Sequence, residues 1–557
     1  MSHRDSHDTT DQQDNVLLGM PVRRRDLLTG ALAVGGLAAA GLGGLTIGAP
    51  AAQAASHPGM LHTQADFDRM YAKVSTNTQP WRAGWEKLIA NGHAQSTWAP
   101  RPTATIIRGG DGQNYPQLYN DIHAAYQNAL RWRVSGNTAY RDTAVNICNA
   151  WSGTLTTLTG NADRYLASGI YGYQFCNAAE MLRGAPGFDL ARFQQMMLNV
   201  FYPLSDRFLN EHNDACITNY WANWDLCNMC NVLACGILTD NNTLINRAVD
   251  YFWNGGGNGS INNAIPFIHG NLAQWQESGR DQAHSMMGIG LMGTFMEMAW
   301  NQGIDLYSAR GNAFAKAAEY VARYNLGYDD LPFTTYSWGT GQNCAYQEQT
   351  VLGAGGRGEV RAVWETVYHH YYGRRGMALP NVLQMVQQNS PEGGGGDYGT
   401  NSGGFDTLGF GTLVYTRERT PSALNRVQSY NFQDRYVRHS NFDVRLDAAV
   451  SPAADAQFRL VPGLASSAGV SFEASNFPGY YLRHWDFDCR LDPNDGSSTF
   501  AADATFARVA GLADGAWTSF RSHNYTDRHL RHANNLLRID PISDATGRAD
   551  ATFRVTT

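Results

Sequence analysis

The chain has 557 residues, 43% of them hydrophobic and 16% charged, with a net charge of −7. That length holds more than one hydrophobic core, and a negative balance speaks against a nucleic-acid partner. Lysine occurs only at positions 73, 87 and 316 among 42 basic residues, a bias that suits carboxylate recognition by arginine forks and that a GC-rich gene produces equally well.

Residues 1–54 read as a targeting segment. A polar head leads to Arg24-Arg25-Asp26-Leu27-Leu28, a twin-arginine pattern, followed by a Gly/Ala/Leu run to about Ile47 and a small-residue end, Ala52-Gln53-Ala54. The run is poor in large apolar residues, which favours a removed signal over a membrane anchor. The expectation is a secreted protein, extracellular or periplasmic, with no membrane partner after processing. Eight cysteines are scattered along the chain. Cys227 and Cys230 lack the second pair that a tetrahedral zinc site needs; no metal or cofactor is expected, and one or two disulfides stay open.

From about Leu61 to Thr416 apolar residues recur at helical spacing. The segments are 121–130, 140–151, 171–182, 193–208, 224–238, 245–252, 285–300 and 314–324, with Gly, Asn and Pro in the gaps. Many helices with short links predict stacked helical hairpins, an α/α toroid with a cleft at one end, over residues 55–420. Residues 393–416 are Gly-rich, then apolar, and suggest a loop and a final strand pair. Four stretches carry unusual chemistry at helix ends: Thr218-Asn219-Tyr220-Trp221-Ala222-Asn223-Trp224-Asp225, Gln276-Glu277-Ser278-Gly279-Arg280-Asp281-Gln282-Ala283-His284, Trp300-Asn301-Gln302-Gly303-Ile304-Asp305-Leu306-Tyr307, and Trp364 to Tyr372. If the second is helical, Arg280 and His284 lie one turn apart on one face.

Three of these stretches, around Asn223, Glu277–His284 and Asn301–Tyr307, resemble the alginate-lyase-like polysaccharide lyases with an α/α toroid. One departure is plain: where such lyases carry Asn-Asn-His before the catalytic helix, this chain has Asn219-Tyr220-Trp221 and Asn223-Trp224. The resemblance implies β-elimination from a uronic-acid polysaccharide of the alginate or glucuronan type. That chemistry needs a group to take up carboxylate charge as the enolate-like intermediate forms, a base for the C5 proton and an acid for the leaving oxygen. The expected assignments are Asn223 for neutralisation with Arg280 assisting, His284 as base or orienting partner, and Tyr220 or Tyr307 as the tyrosine acid/base. Asn219, Trp224, Glu277 and Gln282 are expected to bind substrate. Two alternatives stay open: an inverting glycoside hydrolase using Asp225 with Glu277 or Asp281, and a non-catalytic polysaccharide binder.

The last segment, 421–557, is a threefold repeat. Tyr436-Val437-Arg438-His439 recurs as Tyr481-Leu482-Arg483-His484 and His529-Leu530-Arg531-His532, the histidines 45 and 48 residues apart. Each copy continues into an Arg-Leu/Ile-Asp patch and then an acid with an aromatic: Asp455 with Phe458, Asp503 with Phe506, Asp550 with Phe553. The runs and turns read as strands. These motifs resemble the arabinofuranose-binding β-trefoil module of arabinofuranosidases. The resemblance implies sugar-holding pairs His439/Asp455, His484/Asp503 and His532/Asp550, and an arabinofuranose-containing polysaccharide as partner. The first unit departs by Gln457 where the others have Thr505 and Thr552. The Arg-Leu-Asp patches are expected to brace the strands.

Overall fold

A computed structural model describes residues 55–339, 344, 346–396, 405–418 and 423–557. The expected leader, 1–54, lies outside the described residues. Among the described residues two large hydrophobic cores are built, one from residues Met60 to Val414 and one from Val427 to Phe553, beside two small clusters around Tyr320 and Tyr481.

The first core is helical. Every expected segment forms a helix, usually with longer ends: Tyr115–Ser135, Thr138–Ser152, Gly172–Met181, Ala222–Leu238, Asn242–Asn254, Gln282–Asn301 and Ala309–Asn325, while residues 193–208 divide into Leu190–Met196, a π-helical Met197–Phe201 and Tyr202–Glu211. Consecutive helices pair as hairpins: Tyr115–Ser135 packs on Thr138–Ser152, and Ala222–Leu238 on Asn242–Asn254. Ala222–Leu238 also meets Gly172–Met181, Tyr202–Glu211 and Gln282–Asn301. It is buried on nearly every face, as a helix apolar all round must be. Cys227 and Cys230 lie within it, their thiols directed at the carbonyls of Trp224 and Leu291. Cys216 and Cys344 form a disulfide.

Two expectations need correction. Residues 276–281 are not helical: Asp281, in extended conformation, accepts a hydrogen bond from the His284 amide and starts the helix at Gln282. Arg280 therefore stands before the helix. Among the described residues of 393–416 the expected strand pair is reduced to a single antiparallel bridge, Gly394 with Gly409, followed by the short helix Gly411–Val414.

Residues just after the expected leader are strapped to the helices. Gln302 accepts from the Ser56 amide at 2.9 Å, Asn177 accepts from the Leu61 amide at 3.0 Å, and the His57 ring sits between Glu180 (2.5 Å) and Asp240 (2.8 Å). The Glu180 hydrogen bond raises the His57 pKa above 6.5 against the opposing effect of burial. A raised folded pKa stabilises fully below the unfolded value, and the contribution disappears as pH climbs through the folded one. Amide exchange of Ser56, His57 and Gly59 to Leu61 is therefore expected to accelerate as pH climbs above 6.5, beyond its intrinsic pH dependence. His57→Gln should abolish that excess.

The second core is all β. Six strands close a ring: Leu424–Ser429, Phe458–Pro462, Val470–Ala474, Phe506–Ala510, Thr518–Ser522 and Phe553–Thr556, the last pairing back on the first. Three hairpins complete a twelve-stranded sheet: Tyr436–Ser440 with Asp443–Asp447, Tyr480–Trp485 with Asp488–Pro493, and Arg528–Ala533 with Leu536–Pro541. The hairpins pair with one another in a triangle. Closure removes the exposed edges that an open sheet would offer.

Candidate active site

The N-terminal ends of Ala222–Leu238 and Gln282–Asn301 are joined by the turn that precedes the second helix. Gln276 accepts from the Ala222 amide at 3.0 Å. Glu277 accepts from the Asn223 amide at 2.8 Å and from the Asn223 side chain at 3.0 and 2.9 Å. Glu277 thus takes up orphan donors of the first helical turn. Its carboxylate is completely buried and its pKa is raised by that burial, with the Arg280 charge pulling it back.

Three polar side chains lie toward solvent above this base. Arg280 Nη1 donates to Glu277 at 3.1 Å, its Nε lies 3.4 Å from Asp281, and its guanidinium covers the Trp221 ring at 4.8 Å. Trp221 packs against Trp338 at 4.2 Å. The His284 ring is about one-third exposed, and its Nδ1 meets Asp281 at 2.8 Å while Nε2 faces Arg280 Nη2 at 3.2 Å. Arg280 has no acceptor, so Nε2 takes its hydrogen bond through the ring lone pair and Nδ1 carries the proton toward Asp281. Burial pushes the Asp281 pKa up, but the hydrogen bonds from His284 outweigh it and the net shift is downward. The group is an imidazole oriented by a carboxylate, beside a guanidinium.

The β body carries three polar triads of one design. His439 Nε2 lies 3.0 Å from Asn476 Oδ1, and Asn476 Nδ2 donates to Asp455 at 2.9 Å. His484 and Asp503 are joined in the same way through Asn524 (2.9 and 2.7 Å), and His532 and Asp550 through Asn431 (2.9 and 2.7 Å). The asparagine always comes from the following repeat, and the third triad is completed by the first. An aromatic follows each asparagine and packs against the histidine ring: Phe477, Tyr525 and Phe432. Arg438, Arg483 and Arg531 hold the other carboxylate oxygen of each aspartate.

The family model described as "Alginate lyase" matches residues 90–330. A second, described as "Alpha-L-arabinofuranosidase B (ABFB) domain", matches residues 425–555. An extracellular exo-alpha-(1->5)-L-arabinofuranosidase of Streptomyces avermitilis is 63% identical over 75 residues, 14% of this chain and 16% of that protein. Among solved structures, an alginate lyase from Sphingomonas species A1 is 13% identical with a TM-score of 0.43, covering 66% of this chain and 98% of that one. A GH54 α-L-arabinofuranosidase soaked with a cyclic sulfate inhibitor is 26% identical with a TM-score of 0.23, covering 29% of this chain and 38% of that one. The chain thus spans about one sixth of the curated arabinofuranosidase and well under half of the solved one.

Within the alginate-lyase segment the structure brings Asn223, Glu277, Arg280 and His284 together and separates others from them. Asn223 is buried with both side-chain protons directed at Glu277, so its amide supports the site from beneath. Glu277 is out of reach of a substrate for the same reason. Gln282 is saturated: it donates to the carbonyls of Ser278 and Gly353 and accepts from Asn325. Tyr220 and Trp224 pack against each other and Phe208, and the Tyr220 hydroxyl accepts from Asn213 at 2.9 Å. Asn219 lies in the partly exposed loop beside the disulfide. Tyr307 belongs elsewhere. It is fully buried, donates to Glu297 at 3.1 Å and stacks on His370. Glu297 follows His284 on the same helix at a distance of roughly 20 Å, given a rise of about 1.5 Å per residue.

The hydrolase pairing loses its members in the same way. Asp225 is buried between His212 (2.9 Å), Tyr251 (3.3 Å) and the Gly259 amide (2.8 Å). With Glu277 also buried, no pair drawn from these three carboxylates can hold a water between them. In the AbfB segment Gln457 falls outside the triads. The equivalent Thr505 and Thr552 tie loops, accepting from the amides of Ala465 and Ala513 at 3.0 Å. The Arg-Leu/Ile-Asp patches pair within a strand, Arg445–Asp447, Arg490–Asp492 and Arg538–Asp540, and each aspartate also meets an arginine of the neighbouring strand, Arg438 at 3.5 Å, Arg483 at 2.8 Å and Arg531 at 3.9 Å, so the patches brace the hairpins.

Proposed function

We propose that the chain is a secreted polysaccharide lyase that cleaves a uronic-acid polysaccharide of the alginate or glucuronan type by β-elimination. In this reading the helical hairpins form an α/α toroid. The AbfB segment is a β-trefoil that holds the enzyme on arabinofuranose-bearing polysaccharide, and residues 1–54 direct twin-arginine export. The observation that carries the catalytic reading is the Asp281–His284–Arg280 group, partly exposed within a segment that matches the alginate-lyase family.

The geometry supports a coupled step. In the free protein Arg280 occupies the His284 Nε2 lone pair. A uronate carboxylate is a stronger partner for a guanidinium than a neutral imidazole. Arg280 turns to it, takes up the charge that grows on the carboxylate as C5 loses its proton, and leaves Nε2 free to accept that proton. Asp281 stabilises the imidazolium. The C5–H and C4–O bonds break, a C4–C5 double bond forms, and the imidazolium returns the proton to the departing oxygen when both lie on one face of the sugar. Trp221, partly exposed and backed by the buried Trp338, offers flat apolar surface beside the group.

The test is ultraviolet absorbance of the new double bond during incubation with alginate, glucuronan, polygalacturonate and arabinoxylan. Rising absorbance on a uronan is expected; new reducing ends without absorbance on every substrate would overturn the reading. For the module, Asn524→Ala removes the link between His484 and Asp503. It is expected to weaken binding of arabinofuranose-decorated xylan by about 1–3 kcal/mol per affected pocket, measured by affinity electrophoresis, without lowering the elimination rate on a soluble uronan oligomer.

A further inference from the structure

A second guanidinium stands near the same end of Ala222–Leu238 and is not used by the cluster just described. Arg108 closes the strand Thr105–Arg108, which runs parallel to Thr157–Gly160. The residue is partly exposed, and its Nη1 donates to the Tyr171 hydroxyl at 3.1 Å. It sits 5.2 Å from the Tyr115 ring centre and 5.4 Å from that of Tyr171. Tyr119 stands beside both phenols, at 5.8 Å from Tyr115 and 5.9 Å from Tyr171. Among the described residues no carboxylate pairs with Arg108; Asp163 and Asp406 act on it at longer range, and Asp406 is itself paired with Arg361 at 2.9 Å. A guanidinium has five donors, and the phenol accepts one of them.

The position relative to the candidate site follows from packing. Tyr171 ends the π-helical stretch Ala167–Tyr171, which lies on Ala222–Leu238 so closely that a Cβ on Gly169 would fall 2.5 Å from Cys227 Sγ. Cys227 is one helical turn beyond Asn223, on the same face. Arg108, whose charge reaches Cys227, and its three tyrosines therefore stand beside the early turns of Ala222–Leu238, the helix that starts beside Trp221 and whose Asn223 is tied to Glu277. A polymer with one carboxylate per sugar that places one carboxylate on Arg280 presents the next ones along its length.

We infer that Arg108, framed by Tyr115, Tyr119 and Tyr171, is a second carboxylate subsite that takes a uronate adjacent to the one being cleaved. This rests on the polyuronate reading above and adds the length requirement: the enzyme recognises at least two acidic sugars, through two separate forks. Arg108 is a binding residue in this account and does not touch the reacting atoms.

The experiment measures two quantities on the full-length protein. Kinetics on the cleaved uronan should show Arg108→Gln raising KM at least tenfold with kcat within about twofold, and Arg108→Lys falling between the two because it keeps charge without the fork. Calorimetry uses the His284→Ala background and tetrasaccharides of alginate, glucuronan and polygalacturonate, each beside its carboxyl-reduced counterpart. Arg108→Gln should weaken the acidic form at least tenfold and leave the reduced form unchanged. Thermal melting identifies a variant that has failed to fold, in which case Tyr171→Phe, which frees the fork from its phenol, supplies the comparison: altered acidic binding with the reduced form unchanged supports the subsite, and unchanged acidic binding, or an equal change in both forms, refutes it. If the wild type eliminates and binds while Arg108→Gln matches it on acidic tetrasaccharides, the subsite is wrong and the lyase reading stands. If the wild type neither eliminates nor binds any acidic tetrasaccharide, both fall.

Discussion

Replacement of His284 by alanine is expected to slow elimination by about 10²- to 10⁴-fold, the usual contribution of a positioned acid or base. KM should change little, since Arg280 still meets the carboxylate. Asp281 separates chemistry from folding at the same place. Its carboxylate both orients His284 Nδ1 and caps the helix Gln282–Asn301 through the His284 amide at 2.7 Å. Asparagine caps a helix about as well as aspartate but carries no charge for the imidazolium. Asp281→Asn should therefore melt near the wild type and turn over slowly, whereas Asp281→Ala should lose both. Initial rates by ultraviolet absorbance, read beside thermal melting curves, distinguish the cases. A His284→Ala protein with wild-type rate would remove the imidazole from the mechanism.

Glu277→Ala is expected to be the most destabilising single change near the site. The carboxylate receives the Asn223 backbone and side-chain donors and the Arg280 guanidinium, and all of its surface is buried. Removing one partner of a buried charged network costs on the order of 3–5 kcal/mol, because the remaining groups lose their partner without regaining water. Asn223→Ala should cost about 1–3 kcal/mol through the unmet acceptor. The two residues touch, so the double variant should lose less than the sum of the singles. Urea unfolding at constant slope gives all three values. Additive losses would show that Asn223 and Glu277 do not act as one unit.

Local sequence carried the helices and the repeat because both are periodic signals. The asparagine of each triad was visible in the repeat, at Asn476 for instance, yet its role was not: it serves the histidine and aspartate of the preceding copy, a relation that only ring closure creates. Burial was the other hidden quantity. Tyr307 and Glu277 sit in chemically suggestive stretches, but whether a side chain faces a cleft or the core depends on how distant helices pack. Arg280 was expected on a helical face; Asp281 in extended geometry places it before the helix instead. Arg108 stands alone in its stretch, with no neighbouring pattern to mark it, and acquires company only when Tyr171 folds back against it.

The handing of one asparagine from each β repeat to its predecessor has an effect on fragments. A protein truncated after the second repeat keeps Asn476 for the first triad, loses Asn524 from the second, and contains no third. Two thirds of the module therefore yields one complete triad rather than two, and the set is completed only as the final strand, Phe553–Thr556, seats against Leu424–Ser429. A circular permutant that joins the two ends of the module and opens it between other repeats would keep every triad.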